Sequence, residues 1–362
     1  MLQLIYTLTG DDAHPPILDG QIKAFLGKLA DRLENAIWLG RLRGRAGAVE
    51  LYRRYCALDA QARASTLLSP QGYSAVNALS HSTSDENFEA ATALFSQAAG
   101  ATDSVEDAWI HQAAGTLNVD LGSGFCRRTD PTSPVFFGEF DPHSDAESAL
   151  VLAKLSSAYL GIERASPTFA KLIRNNTRLV LVRKNAGLVP ASEQVDTELG
   201  GIRLRNVHQD DYTHGQLMDD LIHESVHNYL ATFEYIHYPF LIHGGSNDAN
   251  ARPVSPWSMR PIRALPFVHA AFVYFAILNF AQRRLRQGID DPDERAEAVR
   301  CRNRYASGFL VPGSLSDKVR EAADVDPRAL QMLDWMQRLV ASQFEPGLQR
   351  DADEPALAAA VP

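Results

Sequence analysis

Residues 223–227 read His-Glu-Ser-Val-His, an H-E-x-x-H pattern. On a helix, positions i and i+4 stand one turn apart on the same face, so His223 and His227 can each direct a ring nitrogen at one metal ion. Glu224 is rotated off that face and is the candidate general base for a metal-bound water. Two imidazoles leave the coordination sphere incomplete. Downstream the chain offers His237, His243 and His269, with Glu234 the nearby carboxylate. His269 is the preferred third ligand: Val268, Ala270, Ala271 and Phe272 surround it in sequence, and a buried imidazole must satisfy both nitrogens. The bland alternative is a core histidine bonded to a backbone carbonyl. His237 and His243 fall in a loop-like stretch and read as lid or substrate residues.

These residues need elements to position them. Leu217, Leu221 and Leu230 set an apolar helical pattern, and neither Gly nor Pro falls between Gln216 and Leu230, so the motif is expected inside a helix from about 215 to 230. Upstream, Leu179–Val182 reads as a buried strand, and 200–205 as a turn followed by a half-buried strand with alternating faces. Downstream, a Gly/Pro/Asn-rich connection from 237 to 260 leads into an apolar helix beginning near Phe267. Its membrane-like run, Ala264 to Ala281, is interrupted by Pro266, His269 and Asn279 and is shorter than the ~20 apolar residues of a bilayer span, so it is expected to be a buried helix.

The rest of the chain also reads as mostly helical. Leu18, Ile22, Phe25, Leu26, Leu29 and Leu33 recur at helical spacing, and Ser144 with Glu147 makes an S-x-x-E capping box for a helix over 144–160. Gly122–Asp141 reads as loops with one strand around Val135–Phe137, and further helices are expected over 294–305 and 328–339. Arg283, Arg284 and Arg286 follow the apolar helix and read as capping its C-terminal end. The fold class is α+β, predominantly helical, with a small sheet packed beside the HExxH helix and a helical N-terminal half. Three regions are expected: 1–165 helical, 166–345 the metal-binding core, and 346–362 a disordered tail rich in Ala, Asp and Pro.

Composition narrows the function. Among 362 residues, 35 Lys plus Arg face 44 Asp plus Glu, and the net charge of −9 argues against nucleic-acid binding. Cys56, Cys126 and Cys301 are too far apart for a CxxC pair and too few for a disulfide framework, which points to a reducing cytoplasm. The start MLQLIYTLTGDD lacks the basic leader and cleavage site of an export signal. Gly122-x-Gly124 has no third glycine, no phosphate-binding GxxxxGK[ST] occurs, and Ser123 lacks a G-x-S-x-G setting, so dinucleotide, P-loop and serine-hydrolase chemistries find no support.

Leu221-Ile-His-Glu-Ser-Val-His227, the strand pair before it, Ser255-Pro-Trp257, Arg260-Pro-Ile262 and Val268-His-Ala-Ala-Phe-Val-Tyr274 resemble the bacterial HExxH-motif peptide-modification family. The resemblance covers roughly 175 to 345. It implies an iron(II)/2-oxoglutarate-dependent peptide β-hydroxylase of natural-product biosynthesis, acting on a peptide or carrier-presented amino acid; the charge balance and the interrupted apolar run separately lead us to expect no nucleic-acid and no membrane partner.

Two chemistries therefore remain open on the same ligands. Zinc with three histidines leaves one position for water, and Glu224 would then be the base of a metallopeptidase. Iron(II) with three histidines leaves three positions, two for 2-oxoglutarate and one for dioxygen, with Glu224 in a supporting role. The three-histidine set departs from the usual two histidines and a carboxylate of such oxygenases. The distal carboxylate of 2-oxoglutarate then needs a cation, and Arg260 and Arg263, shortly before His269, are the candidates, with Arg300 and Arg304 next. Trp257 either walls that pocket or fills the core, and Asp219 and Asp220 read as a solvated helix face.

Overall fold

The computed structural model describes residues 2–10, 16–100, 109–185, 187–242 and 252–344. The chain runs α1 (Leu2–Leu8), α2 (Pro16–Leu42), α3 (Ala46–Ala57), α4 (Ala60–Leu68), α5 (Pro70–His81), α6 (Asp85–Ala98), β1 (Ile110–Ala113), β2 (Leu117–Asp120), α7 (Gly124–Arg127), α8 (Asp145–Ala165), α9 (Pro167–Asn176), β3 (Leu179–Arg183), β4 (Ala191–Glu193), β5 (Gly201–Arg205), α10 (His214–Ile236), α11 (Ala264–Gln287), α12 (Pro292–Ser307), α13 (Leu315–Arg320) and α14 (Pro327–Gln343). The fold is α+β and predominantly helical.

Local chemistry accounts for where the helices start. Ser69-Pro70, Asp291-Pro292 and Asp326-Pro327 each pair a side-chain cap with a proline that opens the first turn. The capping box before α8 is formed: Ser144 N–H donates to Glu147 at 2.8 Å, and Glu147 N–H to Ser144 Oγ at 3.3 Å.

The chain folds into two units, each assembled from separated stretches. Unit 1 comprises residues 1–17, 158–171 and 214–362; unit 2 comprises 18–157 and 172–213. The expected boundary at 165/166 falls inside unit 1, and the tail 346–362 lies outside the described residues.

Unit 1 is organised around α11, which packs against α1, α10, α12, α13 and α14. That arrangement explains its composition. The helix is long and apolar enough to cross a membrane, yet Phe267, Ala271, Phe272, Phe275 and Phe280 are buried against neighbouring helices. The arginines at its end do more than cap it: Arg283 donates to Thr9 O at 3.2 Å, and Arg284 pairs with Glu294 across the turn to α12.

Unit 2 holds the sheet, with strand order β1-β2-β3-β5-β4. The central pairs β2/β3 and β3/β5 are parallel, and the edge pairs β1/β2 and β4/β5 antiparallel. β3 and β5 are buried along their whole length. This corrects the expectation for β5, whose Arg203 and Arg205 read as its solvent face. Arg203 is covered by Asp130, Glu193 and Glu198, and Arg205 donates to Pro134 O. The segment that covers them is the one expected to form a strand. Val135 and Phe136 are instead folded into a turn by Ser133, whose Oγ accepts both their N–H groups, and their side chains are buried. The hairpin β1/β2 has strands of four residues each, too short for a periodic signal.

Candidate metal centre

The HExxH motif lies in the middle of α10, and His269 lies on α11, which packs against it. His223 Nε2 and His227 Nε2 are 3.2 Å apart, with ring centroids at 5.0 Å. Two nitrogens so placed, each about 2.1 Å from one ion, subtend roughly 100° at it, an angle both tetrahedral and octahedral metals accept. Glu224 is buried and brings a carboxylate oxygen into the same group; one ligand atom from each of His223, Glu224 and His227 lies within 4.8 Å of the others.

His269 stands next to this group without belonging to it in the structure's geometry. Its ring is 5.7 Å from that of His227, and Nε2 is 2.8 Å from Glu234 Oε2. Glu234 also accepts the Phe240 N–H at 2.7 Å, which fixes the carboxylate. It lies seven residues beyond His227, about 10.5 Å further along the helix, so it grips His269 from the far side. A histidine whose outer nitrogen is held by a carboxylate is oriented as metal-binding histidines usually are, with Nδ1 left for the ion. The donor set thus fits a divalent cation of intermediate softness, with Glu234 as the orienting partner.

Burial sets the protonation. His223 is pushed down to about 4, chiefly by burial and also by the Arg304 charge. His227 is held well below the ordinary imidazole range by burial and by the neighbouring His223 and His269. At neutral pH both rings are neutral, the form that binds metal.

Aromatic side chains wall the group. Tyr274 meets the His223 ring edge-on at 6.0 Å, and Trp257 stacks on Tyr274 at 4.7 Å. Trp257 Nε1 donates to Tyr305 O at 2.9 Å, and Tyr305 Oη donates to Asp219 Oδ2 at 2.7 Å. Residue 308 must be glycine for this stack: a Cβ there would lie 2.1 Å from the Trp257 indole. Asp219, expected on a solvated face, is buried, and burial raises its carboxyl to about 7.

Of the arginines, Arg260 and Arg263 are exposed at the turn entering α11, and neither is among the charges acting on His223, His227 or Tyr274. Arg304 is: it is exposed on α12, its charge acts on both His223 and Tyr274, and among the described residues its guanidinium makes no hydrogen bond or ion pair. His237 is exposed with its ring 4.5 Å from that of Phe233, and His243 lies outside the described residues. Sequence reasoning missed Tyr274 and Tyr305 and gave Glu234 no orienting role. The i+7 spacing from His227 to Glu234, two turns on one face, is the signal that was there to find. Compared with known proteins, the chain matches no protein-family model and no curated protein.

Proposed function

We propose that His223, His227 and His269 hold iron(II) in a cytoplasmic 2-oxoglutarate-dependent hydroxylase that acts on a peptide or carrier-presented amino acid. Bound iron, with 2-oxoglutarate and dioxygen, supplies oxidation of an unactivated C–H bond, yielding succinate, carbon dioxide and the hydroxylated product. The chain's own residues do the positioning. Glu234 fixes the His269 ring, Tyr274 and Trp257 cover one side of His223, and Arg304 supplies a positive charge.

Arg304 is the observation that carries the proposal. A dicarboxylate bound through one end needs a cation for the other, and Arg304, exposed on α12 with its charge acting on His223, is the cation the chain offers for a bidentate contact. This moves the assignment from Arg260 and Arg263 to Arg304.

A zinc hydrolase is the second reading, favoured by the buried Glu224 carboxylate among the donor atoms, where a general base would stand. Anaerobic reconstitution separates the two. With iron(II), addition of 2-oxoglutarate is expected to give the weak visible charge-transfer band of its chelate, and Arg304→Ala to raise the 2-oxoglutarate concentration needed by about tenfold or more while iron affinity holds. No band at saturation, together with zinc-dependent peptide hydrolysis abolished in Glu224→Gln, would establish the hydrolase instead.

A further inference from the structure

Unit 2 contains a cavity of about 890 Å³ that the metal centre does not involve. Its size falls within the roughly 300–1,000 Å³ of small-molecule sites. Ile22, Leu26 and Phe125 contribute apolar wall, and Lys23, Arg128 and Arg178 contribute charge. No Asp or Glu is among its described lining residues, in a chain where acids outnumber Lys and Arg by 44 to 35.

The three cations are not equivalent. Lys23 is exposed and keeps its hydration. Arg128 is answered within the protein: it pairs with Glu198, and its guanidinium carbon sits 3.4 Å from the centre of the Phe125 ring. Arg178, just before β3, has no such answer. Its Nε is buried and makes no hydrogen bond, and burial is the influence acting on its guanidinium, with no carboxylate opposing it. A cation half removed from water and bonded to no carboxylate, lining a cavity whose described residues include no acid, is arranged for an anion that arrives from outside.

We infer that this cavity binds an amphipathic anion, a small molecule carrying a carboxylate or phosphate head on an apolar body, and that Arg178 receives the head. The planar fork of a guanidinium suits either head, and the apolar walls take the body. The inference is independent of the chemistry at the histidines.

Calorimetric titration of the full chain with octanoate, octyl phosphate, inorganic phosphate and octylammonium tests it. Saturable binding of an octyl anion is expected, with no binding of octylammonium; whichever octyl anion binds more tightly identifies the head. Arg178→Gln should weaken that binding at least tenfold and Arg178→Lys by less, since the charge stays while the fork is lost. Without ligand, Arg178→Gln should melt at or above the wild-type temperature, because it removes a half-buried charge that no carboxylate answers. Failure of both octyl anions to bind, equal binding by Arg178→Gln, or a melting point of that variant well below wild type would overturn the inference. Inorganic phosphate bound as tightly as octyl phosphate, an adventitious ion only, would overturn it as well.

Discussion

On β5, Arg203 is 2% exposed and remains charged because three carboxylates surround it: Asp130 at 3.0 Å, Glu193 at 3.2 Å and Glu198 at 2.8 Å. On α10, His223 and His227 are half-buried with no carboxylate bonded to either ring, and they respond by giving up their protons. One region spends partners to keep its charge, and the other gives up charge and keeps lone pairs. The first pattern is complete without a ligand, because each strong donor has its acceptor. The second brings two ring nitrogens within 3.2 Å of each other, one N–H to one lone pair, an arrangement that a cation held by both nitrogens would replace. Buried polar groups that the protein itself does not answer therefore mark the places where something else binds.

The largest expected effect breaks the metal side of this contrast. His227→Ala removes a ligand with no substitute in the donor group, and metal affinity should fall by about a thousandfold or more, as read by competition with a chromophoric chelator. The wild type should hold its metal at pH 5.5 nearly as well as at pH 7.5. The sign follows from the depressed imidazoles: a free histidine protonates as pH falls through about 6.5, whereas His223 stays neutral down to about 4. Metal loss with a midpoint near pH 6.5 would show that the two rings are solvated and the contrast is false.

The sheet side breaks next. Arg203→Ala takes from Glu193 its one charged partner and leaves Glu198 to Arg128 alone, and unfolding stability should drop by about 3 kcal/mol in a denaturant titration. Arg203→Met removes the charge but keeps volume, and it leaves Glu193 without a cation, so it should recover less than half of the loss. A loss under about 1 kcal/mol for either variant would mean that the cluster is wet and behaves as a surface network.

Glu234→Gln sharpens the metal side with a smaller effect. The amide keeps the shape but no longer presents a charged acceptor to His269, and metal affinity should weaken about 10- to 100-fold without change in fold. Unchanged affinity would remove His269 from the ligand set and leave Glu224 as the third donor.

How far the sequence carried these regions differs between them for physical reasons. The motif helix, the apolar helix and the α8 capping box were legible because each rests on contacts within four residues along the chain, which spacing alone encodes. His223 and His227 were found for the same reason. Arg203, Arg205 and Asp219 were misread as solvent-facing because their burial depends on partners far away in sequence: Asp130 for Arg203, Pro134 for Arg205, Tyr305 for Asp219. The strand expected at Val135–Phe137 failed similarly, since its β-prone residues are held in a turn by the Ser133 hydroxyl, a local cap that hydropathy does not register. Arg304 could be named only as a fallback, because which arginine approaches a histidine depends on how α12 packs on α10 and α11.

Asp219 offers the most discriminating test, because it stands between the two patterns. It is a buried carboxylate on α10, one turn before His223, and among the described residues its hydrogen bond comes from the Tyr305 hydroxyl, with the Arg284 charge as a weaker influence. Burial outweighs both and raises its carboxyl to about 7, so the folded protein binds a proton there that the unfolded chain releases near pH 4. Stability is therefore full at acid pH, declines as pH rises from about 4 to about 7, and is level above that. Asp219→Asn retains an oxygen that can accept from Tyr305 and cannot ionise. Its stability should match the wild type at pH 4 and exceed it by up to about 4 kcal/mol at pH 8, measured by chemical denaturation at both values. An equal gain at the two pH values would mean that the effect comes from packing. A loss at pH 8 would mean that the carboxylate is ionised and answered, as the carboxylates around Arg203 are, and α10 would then share the arrangement of the sheet.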